Sequence, residues 1–161
     1  MEENPFEDEK VAREWIRSVE GEKGLIRDNE IYPLLKRWSE GINGTILDIG
    51  SGQGVASEQI SYQKDTNYVG IEPSVVLTER AIERYSRSDR KFLTGNAYQL
   101  PIESNSMAGC FSITVWFHLE IWVSLLKNYI ECLNRTENFL LLPQIQKPTM
   151  HGKVCTQILK G

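Results

Sequence analysis

Asp48 sits in a short apolar run, Ile46-Leu47-Asp48-Ile49, that opens directly onto glycines at Gly50, Gly52 and Gly54. A carboxylate at the mouth of a glycine loop favours a positively charged ligand group. Glycine also lets a ligand approach the backbone with no Cβ in the way. Glu72 follows about 20 positions after the loop, where nucleotide-binding α/β folds place the acceptor for ribose hydroxyls. An acid suits that place because one carboxylate takes two hydroxyl donors at once. His118 ends a later apolar run, Ile113 to Phe117, and an imidazole there could serve as a general base. Each has a plainer reading: a glycine turn without ligand, a helix-capping carboxylate, a histidine that only packs.

The surrounding chain supplies elements to position these groups. Residues 46–49 are too short for a helix and read as a buried parallel strand bounded by glycines. Residues 55–60 have helical apolar spacing, so the loop is expected to end on a helix N-terminus. A second strand is expected at 67–72. Pro73 and Ser74 then open a helix whose apolar face is Val75, Val76, Ala81 and Ile82. A third strand and its exit follow at 91–97, and a fourth runs on to Trp116. A strongly apolar helix is expected at 121–133 and a fifth strand at 139–143. Upstream, 1–9 reads as a frayed acidic start. Val11, Trp15, Ile16 and Val19 form a helical stripe, broken by Gly21 and Gly24. Asp28 is placed to cap a second helix carrying Ile31, Leu34, Leu35 and Trp38, with Pro33 in its first turn and Gly41 as its stop.

The loop spacing separates ligand classes. Dinucleotide loops have G-x-G-x-x-G or G-x-G-x-x-A, whereas here that last position is Val55 and the third glycine comes one residue early. Asp48-x-Gly50-x-Gly52-x-Gly54 resembles motif I of class I S-adenosylmethionine (SAM)-dependent methyltransferases. Leu100-Pro101-Ile102 through Val115 resembles the element before strand four in ubiquinone/menaquinone-biosynthesis-type members, with Ala108 where those carry aspartate and Met107 where they carry an aromatic. The resemblance runs from 24 to 143.

It implies a Rossmann-like α/β fold, a mostly parallel sheet of order 3-2-1-4-5 flanked by helices. Residues 1–43 would form a helical cap, 44–145 the SAM-binding domain and 146–161 a short tail. SAM would be held by Asp48, Gly50, Ser51, Gly52 and Gly54, with Glu72 on the ribose and Pro73 brushing the adenine. Asn96 would accept from the adenine amino group, Ala97 would offer its N–H to a ring nitrogen and Tyr98 would cover the ring. Val115 closes the list from strand four. Arg27 would meet the SAM carboxylate and His118 would face the transferred methyl. The implied activity is methyl transfer to a small-molecule acceptor, with S-adenosylhomocysteine (SAH) as product. A non-catalytic SAM- or SAH-binding module acting as a partner subunit is the alternative.

Bulk properties narrow the partners. A net charge of −4 gives no global basic footprint for nucleic acid. No stretch reaches the roughly 20 apolar residues of a membrane span. Cys110, Cys132 and Cys155 lack C-x-x-C spacing, so neither a zinc site nor a disulfide framework is expected, and the setting is read as cytoplasmic. The residues after 143 are too few for a helix plus the hairpin of strands six and seven. That hairpin is expected to be missing or incomplete, in a fragment or a naturally short member, although 154–159 could give one more strand. An open edge at strand five would invite a second chain, so a homodimer through that edge is one expectation.

Overall fold

The computed structural model describes residues 8–21, 24–25, 27–113, 129–133, 138–142 and 157–158. Among them, strands β1 (Thr45–Ile49), β2 (Asn67–Glu72), β3 (Arg90–Thr94), β4 (Gly109–Ile113), β5 (Phe139–Leu142) and β6 (Gln157–Ile158) form one sheet of order β3-β2-β1-β4-β5-β6. The first five are parallel; β6 runs antiparallel to β5. The Rossmann-like expectation therefore holds. β6 pairs Ile158 with Leu140 and Gln157 with Leu141, so the strand-five edge on which the homodimer expectation rested is taken at those two positions.

The central strands are apolar on both faces because helices cover both. Period-two alternation sorts their side chains. Ile46, Tyr68 and Phe111 join one core with Tyr32, Leu35, Ala81 and Phe92. Leu47, Ile49, Ile71 and Cys110 join the other with Met107, Tyr129 and Leu133. Asp48 falls on the first face, in register with Gly70 of β2 and Phe111 of β4.

Helix α1 (Glu9–Glu20) starts earlier than the acidic start suggested. Asp8 is its N-cap, accepting from the Val11 N–H at 3.0 Å, and Glu9 pairs with Arg13 one turn on. The chain then passes through a π-helical turn (Arg27–Ile31) into helix α2 (Tyr32–Ser39). Asp28 lies inside that turn instead of capping α2, because the helical path is already running when α2 begins. Pro33 is in the first turn, as its fixed φ favours. Trp38 packs edge-on against Phe111, with ring centroids 5.7 Å apart.

The helix expected after the loop is a single 3-10 turn (Val55–Glu58). Local bonds draw its backbone elsewhere: the Ser57 hydroxyl donates to Gly54 O, the Tyr62 hydroxyl to Ser57 O, and the Ser61 N–H to Ser39 Oγ. Helix α3 (Val75–Tyr85) forms as expected, with Ser74 as N-cap. Its buried face is Leu77, Thr78 and Ala81, whereas Val75 and Ile82 are 55% and 46% exposed. The buried Thr78 hydroxyl lies within donating distance of the carbonyls of Ser74 and, at the end of β2, Glu72. No helix among the described residues is long and apolar enough to cross a membrane.

Candidate active site

The strand order changes direction between β1 and β4, and the crevice outside the strand C-termini at such a point is where open α/β sheets bind ligands. A cavity of about 50 Å³ lies there. Its floor is Asp48, Gly50, Ser51, Gly52 and Gln53, and its roof is Trp15, Val19, Arg27 and Tyr32 from the N-terminal segment.

The loop is held by backbone bonds to β2: the N–H groups of Gly50 and Ser51 both donate to Ile71 O. Two of its glycines differ in what they permit. At Gly52, with φ +55°, an added Cβ would meet nothing within 4 Å. At Gly54, with φ +85°, it would lie 2.8 Å from both Ala81 Cβ and Phe92 Cε1, so this glycine serves the packing of α3 and β3. Ser51 is among the residues lining the cavity. Its hydroxyl is turned toward Gly70, buried and without a hydrogen-bond partner among the described residues.

Asp48 is only 2% exposed and accepts from the Tyr68 hydroxyl at 2.5 Å. Burial pushes its carboxyl up to about 7; the Tyr68 bond opposes that rise and nearby Glu72 adds to it. Glu72, also buried, has its carboxyl raised by desolvation, partly offset by two backbone donors. Those donors are the N–H of Ser74 to Oε1 and of Gly52 to Oε2, each at 3.0 Å. One carboxylate thus joins the glycine loop to the start of α3. Its second pair of acceptor sites is not taken by those bonds.

Arg27 donates from Nη2 to Val19 O at 3.0 Å, which holds its guanidinium at the roof of the cavity. Gln53, missed by the sequence reading although it lies inside the motif, accepts from Arg80 Nε at 2.8 Å. The same Arg80 donates to Glu20 at the end of α1, and Arg84 reaches Glu20 too. Trp15, Tyr32 and Gln53 were not among the residues expected to hold the cofactor, because the sequence signal at these positions, helical stripe or loop filler, is one of packing.

The structure thus brings Arg27, Asp48, Gly50, Ser51 and Gly52 to one cavity, with Glu72 bonded to its edge. Pro73, Asn96, Ala97 and Tyr98 lie beyond that lining, past the C-terminal ends of β2 and β3. Asn96 Oδ1 accepts from the N–H of Tyr98 at 3.0 Å and of Gln99 at 2.9 Å. Both lone pairs of the oxygen assigned to the adenine amino group are therefore engaged in the turn, which leaves the amide Nδ2 as the side chain's free polar atom toward a ligand. Ala97 packs into the second core and Tyr98 is exposed. His118 and Val115 lie outside the described residues.

Residues 46–136, more than half of the chain, match the family of methyltransferase domains. The chain belongs to that family. Solved methyltransferases share its fold at low identity. A candidate SAM-dependent methyltransferase of Methanococcus maripaludis is 21% identical, with a TM-score of 0.71 over 88% of this chain and 65% of that one. A candidate methyltransferase in complex with the Trm112 methyltransferase activator of Haloferax volcanii is 17% identical, with a TM-score of 0.67 over 89% and 62%. Phosphoethanolamine N-methyltransferase 2 of Haemonchus contortus, in complex with SAM, is 22% identical, with a TM-score of 0.63 over 71% and 28%. The methyltransferase domain described here therefore spans less than two thirds of the length of these structures. No curated protein matches it.

Proposed function

We propose that this methyltransferase domain binds SAM at the C-terminal ends of β1 and β2 and transfers its methyl group to a small-molecule acceptor. One observation carries the reading: two buried carboxylates, Asp48 and Glu72, flank a glycine loop whose Gly52 would point a Cβ into open space. That pair of acceptors fits a ligand with a cationic amino-acid end and a ribose. Asp48 would face the ammonium, the remaining acceptor sites of Glu72 the ribose hydroxyls, and Arg27 the carboxylate. Pro73, Ala97, Tyr98 and the Asn96 amide nitrogen would border the adenine. When bound, SAM supplies an electrophilic methyl on a sulfonium, whose departure needs no acid. The protein's share is then alignment of the acceptor with that methyl, with His118 as the expected base for its proton and Val115 beside the cofactor.

A cavity of about 50 Å³ holds a few water molecules, far less than a nucleoside with an amino acid attached. The roof carrying Trp15, Val19, Arg27 and Tyr32 would then shift to admit the cofactor, as a lid does. Ala108, where the resembled family carries an aspartate, is the residue that speaks for the non-catalytic alternative. Its backbone is held by the Thr45 carbonyl and by Asn138 Nδ2, without an aspartate.

The test is incubation with methyl-labelled SAM and fractionated cell extract. Label recovered in low-mass organic products supports the reading, whereas label in protein or nucleic acid contradicts the acceptor class. SAM binding without any turnover would favour the non-catalytic module.

A further inference from the structure

Asp48 is the floor of the cavity, and a carboxylate there is useful to a cationic ligand only if it is ionised and correctly turned. Every element packed around it bears on both. From β2 come Tyr68 and Glu72, from α2 the hydroxyl of Tyr32, from β4 the thiol of Cys110, and across the cavity the guanidinium of Arg27. Of these, the Tyr68 hydroxyl is the one that donates to the carboxylate itself, at 2.5 Å from Oδ2. Tyr68 is 0% exposed, and its ring is fixed by tilted packing on Phe92 and Phe111, with centroids 5.5 and 6.4 Å away. That packing fixes the position of the hydroxyl oxygen beside Asp48.

We propose that Tyr68 is a positioning residue that turns the Asp48 carboxylate toward the cavity and keeps it anionic there, and so determines the site's preference for a cationic ligand. The proposal rests on the cofactor reading above. A donor on the charged form favours ionisation, and here it works against full desolvation and the like charge of Glu72. The phenol is well suited to that task. Its own proton is held firmly, because burial and the neighbouring Asp48 both push the phenol's ionisation upward.

Tyr68→Phe keeps the ring and its packing while removing only the donor. The first experiment titrates the carbon-13 carboxyl signal of Asp48 in the ligand-free chain, wild type against Tyr68→Phe. The midpoint is expected to rise by about one unit in the variant; an unmoved midpoint overturns the proposal. The second measures calorimetric affinity for SAH, which carries the ammonium, across pH 5.5 to 8.5. In wild type, affinity is expected to rise with pH; in Tyr68→Phe that limb moves to higher pH, weakening binding about fivefold at pH 7 and recovering toward pH 8.5. A uniform loss at every pH would mean that Tyr68 only packs. Asp48→Asn is expected to lose the limb altogether. If wild type binds no SAH, the cofactor reading fails, and the carboxyl titration still decides the role of Tyr68.

Discussion

The backbone N–H of Gly52 donates to Glu72 Oε2 at 3.0 Å, tying the centre of the glycine loop to a carboxylate 20 residues further along the chain. The acid that is expected to meet the ligand also sets the shape of the loop that receives it. Glu72→Ala should therefore weaken SAH binding twice over, through lost ligand bonds and through a released loop. Charge-assisted bonds of this kind give a loss on the order of 2–4 kcal/mol. Calorimetry on the variant checks it, and unchanged affinity would remove Glu72 from the ligand.

The two glycines should respond in opposite ways to a side chain. Gly54→Ala places a Cβ 2.8 Å from Ala81 and Phe92, an overpacking that should cost about 1–3 kcal/mol of stability on top of its backbone strain. Gly52→Val has room for its Cβ and should cost only the left-handed backbone, about 1–2 kcal/mol. It should nevertheless lose SAH binding, because its side chain stands in the cradle. Denaturant unfolding and ligand titration together separate the two. A Gly52→Val chain with normal affinity would place the ligand elsewhere.

Arg80 should matter to binding more than to folding. It joins Glu20 of α1 to Gln53 of the loop, through contacts that are partly exposed. Exposed pairs contribute about 0–1 kcal/mol to stability and weaken with salt. Arg80→Met is therefore expected to leave the unfolding midpoint nearly in place. It should lower SAH affinity and flatten the dependence of affinity on NaCl. Parallel salt curves for variant and wild type would show that the link does not reach the site.

The ligand-free protein should lose stability as pH rises from about 4 to about 7. Asp48 has its folded-state pKa raised from 3.8 to about 7, so its contribution is full below the lower value and lost as pH passes through the upper one. Glu72 is raised as well and acts in the same direction. Glu20 is shifted the other way by its bond to Arg80, and its contribution is lost only on going more acidic than the ordinary carboxylate range. Urea unfolding at pH 5.5 and pH 8 should show the fall, and Asp48→Asn should show less of it. Equal slopes for the two proteins would mean that Asp48 is not buried as charge.

The strands and the loop could be read in the sequence because a buried parallel strand flanked by glycines has few alternatives. Asp48, the glycines and Glu72 followed from that frame, whereas Arg27 came only from the family resemblance. What could not be read depends on register or on rotation. Tyr68 meets Asp48 only because β1 and β2 pair Ile46 with Tyr68 and Asp48 with Gly70, an alignment that strand periodicity alone does not give. The buried face of α3 is Leu77, Thr78 and Ala81, a rotation that the apolar Val75 and Ile82 conceal in the sequence. Asn96 has the right side chain for an adenine edge, yet its oxygen is spent on the N–H groups of Tyr98 and Gln99, a local competition visible only in three dimensions.

Calorimetric titration of the 161-residue chain with SAH, with NADH as control, tests the central claim most directly. Saturable one-to-one binding of SAH and no heat from NADH is the expected result, since the Asp48-to-Gly54 loop lacks the dinucleotide spacing. Absence of SAH binding, or binding of NADH in its place, would contradict it.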